Sequence, residues 1–176
     1  MVKFNKVFNF CRGLRLYICI DNNCKYMIIE KELKISKQLP ECKRALLNLL
    51  YTGNWITDEI TSSLKPFDIT TQQFNVLRIL KGMKGNPCSL QTIQERMISK
   101  MSNTTRLVDK LIKKDFVQRE QCESNRRKVD IMITVEGEKA LEVINEVVDE
   151  SESMLTENLS QDELKQLNSL LNKLRT

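Results

Sequence analysis

The hydrophobic period of this chain switches once from helical to extended and then back, and that switch limits its possible folds more than any other feature. After Met27 and up to Lys114, apolar residues recur every three or four positions. Between Phe116 and Thr134 they alternate with polar ones, and beyond Thr134 the helical spacing returns. Such a pattern predicts a mainly α chain with one small β-hairpin set between helices, an α+β arrangement. Only 5 glycines and 3 prolines occur in 176 residues, so the helical stretches are long and little interrupted.

The pattern divides into elements. Pro40 suits the first turn of a helix whose apolar stripe is Leu46, Leu49, Leu50, Ile56, Ile60 and Leu64, and Pro66 ends it. Thr70 with Gln73 reads as a capping box opening a second helix to Gly82. Ser89 caps a short third helix with Leu90, Ile93 and Met97 inward. After a turn over Ile98–Met101, a fourth helix is expected from about Ser102 to Lys114. A strand starts at Phe116-Val117, and Val129, Ile131 and Ile133 alternate in a second strand. Thr134 then caps a long helix carrying Ala140, Leu141, Ile144, Val147, Val148 and Leu155 along one side. Ser160 with Glu163 forms a further capping box before Leu164, Leu167, Leu171 and Leu174.

Several chemistries are excluded by composition. The chain has no histidine, so the usual zinc ligand sets and the Ser–His or Cys–His nucleophile pairs are absent. The six cysteines include no C-x-x-C pair and are spread through helical patterns, which reads as reduced thiols in a cytoplasmic protein rather than a disulfide framework. No apolar run is long enough to span a bilayer. The expectation is a non-enzymatic protein without metal or cofactor. A thiolate enzyme using Cys42, Cys88 or Cys122 is the weaker alternative, because none has an evidently cationic neighbourhood in sequence.

Two short helices, a tight turn and a hairpin have the order of a winged helix-turn-helix, whose second helix leads into the DNA major groove with its N-terminus. Here that end is Ser102, Asn103, Thr104, Thr105 and Arg106, short polar groups able to approach base edges and one guanidinium. Lys100 and Lys110, with Arg96 and Lys113, are placed for phosphates. At the hairpin tip, Arg126, Arg127 and Lys128 form a basic wing suited to a minor groove. Ser, Thr and Asn also favour any helix start, and a basic tip can be merely solvated. Charge supports the polyanion reading: residues 96–128 hold ten basic and four acidic side chains, whereas 129–176 hold four basic and eleven acidic.

The combination Ile93-Gln94-Glu95-Arg96-Met97, Thr105-Arg106-Leu107-Val108-Asp109-Lys110-Leu111, Asn125-Arg126-Arg127 and Ile133-Thr134-Val135-Glu136-Gly137 resembles the MarR family of regulators over about residues 40–176. The resemblance implies double-stranded DNA as partner, a pseudo-palindromic operator and usually repression. It further implies a homodimer built from the first helix and the last two, and a cleft where a small-molecule effector acts. Two departures stand out. Asn125 replaces the acidic residue of the family's wing tip. Cys42 also lies at the start of the first helix rather than well inside it, so a peroxide-sensing mechanism of the family's kind is not expected.

On this reading residues 67–134 are the DNA-binding region, and 27–66 with 135–176 form a helical dimerisation region. The stripes on the terminal helices exceed what a small winged-helix core covers, which independently favours association. An intramolecular helical hairpin would cover them too. Residues 1–26, with five basic side chains against Asp21, form an extension. It could be a short strand, a basic arm along DNA or a segment upstream of a start at Met27. A winged-helix interaction adaptor that does not bind DNA is the alternative function.

Overall fold

The structure, a computed structural model, describes residues 28–121 and 129–175. The expectations for the extension 1–26 and for the wing-tip residues Arg126, Arg127 and Lys128 therefore lie outside the described residues. The chain divides into two compact units at Tyr51–Thr52.

In the first unit, a one-turn helix α1 (Ile29–Glu32) precedes the start of α2 (Glu41–Leu64). Arg44 Nε lies 3.0 Å from Glu30 Oε1, and the Tyr51 hydroxyl donates to Glu32 Oε2 at 3.2 Å. Leu46, Leu49 and Leu50 of α2 are exposed. The stripe read from sequence is there, and none of the described residues of this unit covers it.

The second unit holds the rest of α2 and a 3-10 turn at Lys65–Phe67. These are followed by α3 (Thr71–Gly82), α4 (Leu90–Arg96) and α5 (Thr104–Ile112). The hairpin β1 (Val117–Gln121) and β2 (Val129–Ile133) leads to α6 (Val135–Thr156) and α7 (Gln161–Leu174). Local sequence accounts for the starts. Thr70 accepts from the Gln73 amide while the Gln73 side chain accepts from the Thr70 amide, closing the expected capping box, and Ser160 with Glu163 does the same for α7. Thr134 accepts from the Gly137 amide at 2.9 Å, and its hydroxyl donates to the Asp115 carbonyl at 2.6 Å, so one residue caps α6 and ties it to the hairpin's root.

The core sits on α3. Phe74, Val76, Leu77 and Leu80 pack with Ile93 of α4, Val108 and Leu111 of α5, Ile131 of β2, and Leu141, Ile144 and Val148 of α6. This changes one expectation. The stripe Leu141, Ile144, Val148 is used by the chain's own core, and the outward apolar groups of α6 are Val143, Val147 and Met154. On α7, Leu167, Leu170 and Leu174 are exposed.

The hairpin is antiparallel, with Val117 opposite Ile133 and Gln121 opposite Val129. A bridge to a third segment was not foreseen: the Cys88 amide donates to the Ile131 carbonyl at 3.0 Å and the Ile131 amide to the Cys88 carbonyl at 2.9 Å. The loop before α4 thus adds a short strand edge to the hairpin. No helix among the described residues is long and apolar enough to cross a membrane.

Candidate nucleic-acid interface

α4 and α5 are joined by a turn over residues 97–103 whose backbone is held from both sides. Met97 is buried beneath it. The Ile98 amide donates to Asn75 Oδ1 on α3 at 3.0 Å, and the Ser102 amide to the Ser99 carbonyl at 3.2 Å. Gln94 of α4 uses both ends of its amide: Nε2 donates to the Lys100 carbonyl, and Oε1 accepts from the Thr104 hydroxyl. Lys100 Nζ folds back onto the Glu95 carbonyl, a cation at a helix C-terminus, where the helix dipole favours it.

α5 is amphipathic along its whole length. Thr104, Val108 and Leu111 face inward and are buried, while Thr105, Arg106 and Lys110 are exposed. Its cap is Asn103, whose Oδ1 accepts from the Arg106 amide at 3.1 Å. The exposed face therefore begins with the sequence-predicted Asn103, Thr105 and Arg106, with Ser102 half-buried beside them. Thr104 does not join them, which corrects the expectation that it reads bases. It is 6% exposed and its hydroxyl is spent on Gln94. The helix starts two residues later than expected, and Thr104 lies on the side of Val108 and Leu111. Its spacing of four and seven from those residues was the signal available in sequence.

Electrostatics fix the flanks. Arg119 of β1 pairs with Asp109 of α5 at 2.8 Å, joining hairpin and helix. Lys114 pairs with Asp68 at 2.6 Å, and this hydrogen bond and charge, with help from Lys110, hold the Asp68 carboxyl below its ordinary pKa. Burial pushes the Cys88 thiol up against a smaller opposing effect of Arg96, in keeping with its place in the core. Among the described residues no group of His, Cys, Asp and Glu could hold a metal ion.

Two shallow troughs adjoin α5. One, of about 300 Å³, runs from Thr70 and Gln72 to Asn103 and Arg106. The second, of about 540 Å³, lies over Ile69 and is edged by Lys65, Lys110, Lys113 and Lys114. Thr70, Gln73 and Lys110 border both, so the troughs are neighbours.

Comparison with known proteins agrees with this geometry. Residues 69–129, which span α3 to the start of β2, match the sequence model of the MarR family. The chain is 29% identical over 87 residues to the HTH-type transcriptional regulator BilQ of Clostridium symbiosum; the match takes in 49% of this chain and 60% of that protein. Its fold superposes with a TM-score of 0.68 on a mutant MarR from E.coli complexed with operator DNA, at 25% identity, over 78% of this chain and 99% of the other. It also matches Bordetella bronchiseptica BpsR, whose DNA binding is regulated by 6-hydroxynicotinic acid, with a TM-score of 0.64 and 18% identity over 73% and 96% of the two chains.

Proposed function

We propose that this chain, whose residues 69–129 match the MarR family model and whose fold superposes on a MarR bound to operator DNA, is a sequence-specific DNA-binding transcriptional regulator, not an enzyme. It acts as a homodimer on a pseudo-palindromic operator and represses until a small ligand releases it. One observation carries the reading: α5 has one buried face and presents Asn103, Thr105 and Arg106 outward at its N-terminal end, with Lys100 and Lys110 alongside. That is the end with which a recognition helix meets base edges, and the lysines suit the phosphates on either side. The basic wing residues Arg126, Arg127 and Lys128 complete the site in this proposal.

The dimer rests on apolar groups that each unit leaves uncovered, Leu46, Leu49 and Leu50 in one and Val143, Val147, Leu167, Leu170 and Leu174 in the other. Exposed apolar area of this extent favours association, and two-fold symmetry then spaces two recognition helices by one DNA turn, about 34–36 Å. For the effector, the trough over Ile69 offers that one apolar side chain and four lysines, of which Lys114 is paired with Asp68 in the same trough. A small aromatic carboxylate has the matching chemistry, the class to which the BpsR ligand belongs.

The test is fluorescence anisotropy on a duplex selected by the full chain from a random pool, repeated across a salt series. A salt-sensitive, sequence-specific complex is expected. Changing Arg126 and Arg127 to Ala lowers the salt slope by about 0.9 for each phosphate that is no longer neutralised. A chain that selects no duplex returns the adaptor reading.

A further inference from the structure

The turn before α5 carries two large apolar side chains that the fold does nothing to cover. Met101 is 96% exposed and Ile98 is 88% exposed, whereas Met97, in the same turn, is fully buried. Their exposure is imposed by the backbone. The Ile98 amide is held by Asn75, the Lys100 carbonyl by Gln94, and the Ser102 amide by the Ser99 carbonyl. Turning either residue inward would need a backbone rearrangement of the turn that breaks these bonds. An isolated apolar residue on a surface is ordinary, but here two of them flank a lysine at the leading edge of the helix.

Their surroundings identify what meets them. Lys100 lies between the two, and Arg96 and Arg106 follow on either side in sequence, all three exposed. Met101 stands two residues before Asn103, the cap of α5. A basic rim around an apolar tip suits a polyanion that also presents an apolar group. In the major groove the base edges offer one such group, the C5 methyl of thymine.

We propose that Met101, with Ile98 beside it, reads thymine methyl groups in each operator half-site, adding an apolar element to a recognition surface otherwise built from polar and cationic side chains. This rests on the DNA-binding reading given above. Met suits the task, because an unbranched thioether adapts its shape to a methyl group without needing a fixed hydrogen-bond geometry.

The experiment replaces thymines of the selected duplex, one at a time, by deoxyuridine, which removes the methyl and leaves every hydrogen-bonding group in place. The unaltered chain should lose about fourfold in affinity at one or two positions of each half-site, the fold-change that about 0.8 kcal/mol per buried methyl gives. Met101→Ala should bind the thymine duplex with a similar loss and be insensitive to deoxyuridine at those same positions. Its thermal unfolding should match that of the parent, since the side chain is in solvent. If it does not, Met101→Gln, of equal length and polar, must give the same insensitivity. A flat uracil scan on a duplex that the parent binds well overturns the proposal, as does a Met101→Ala protein with the parent's full pattern of uracil sensitivity. Failure of the parent to select any duplex overturns the DNA-binding reading itself, and this inference with it.

Discussion

Gly137, at the start of α6, passes so close to Phe116 that a Cβ built on it would overlap the Phe116 carbonyl oxygen and lie 2.8 Å from the carbonyl carbon. The same carbonyl accepts from the Thr134 amide at 3.1 Å, so it cannot move aside without loosening the hairpin's root. Gly137→Ala should therefore destabilise the protein by about 3 kcal/mol, the upper part of the usual range for overpacking. Chemical denaturation measures it; a variant as stable as the parent would show that α6 shifts freely here.

Thr104 and Gln94 give a second prediction. Thr104→Val keeps the volume but leaves a partly buried amide oxygen without its donor, a cost of about 1–3 kcal/mol. Because the side chain faces α4, operator and random DNA should weaken together as the turn loosens. Arg106→Ala should differ, losing affinity for the operator by about 1–3 kcal/mol while changing random binding far less. Anisotropy on both duplexes separates the two. Operator-selective loss from Thr104→Val would restore it as a base reader.

Acid stability tests the Asp68–Lys114 pair. The folded carboxyl titrates below its unfolded value because Lys114 donates to it and carries opposite charge. Its stabilisation is therefore complete above the unfolded pKa of about 3.9 and is lost as pH falls through the folded value. Asp68→Asn should be slightly less stable than the parent at neutral pH, and the gap should close in acid. A gap that stays constant down to about pH 2, below the unfolded carboxyl's range, would mean the pair contributes nothing through its charge.

Thiol chemistry supplies a fourth prediction. Cys42 is exposed and Cys88 is buried with its thiol pushed up. Alkylation at neutral pH, located by peptide mass, should modify Cys42 at once and Cys88 only after unfolding. Early modification of Cys88 would show that the loop before α4 opens readily.

The proposed dimer predicts that thermal stability rises with protein concentration. Ending the chain before Ser160 removes Leu164, Leu167, Leu170 and Leu174 and should abolish both the concentration dependence and tight operator binding. Sedimentation gives the assembly state directly, and a truncated chain that still sediments as a dimer would place the interface elsewhere.

Much of the fold was legible because its signals are local. Thr70 with Gln73, Ser160 with Glu163, and Thr134 each announce a helix start within four residues, and the alternation of Val129, Ile131 and Ile133 announces a strand. What escaped is nonlocal. Cys88 pairs with Ile131 over too short a stretch to leave a period-2 pattern, and Asp68 meets Lys114 from 46 residues away. The inward turn of Thr104 was missed for a third reason. Ser102 and Asn103 are both good caps, and short polar residues at a helix start look alike in sequence whether they face a groove or the neighbouring helix.

The rung between Cys88 and Ile131 has a consequence for how a duplex would be sampled. It locks the hairpin's root to the segment leading into α4, and Arg119 with Asp109 locks the same strand pair to α5. The angle between the hairpin and the helix pair is thus set when the chain folds. The entropy lost in fixing that angle is not lost again on association, which favours slow release. In the proposed complex a rigid gauge of this kind would leave the DNA as the partner that bends, and would disfavour sequences that resist bending even at positions no side chain touches.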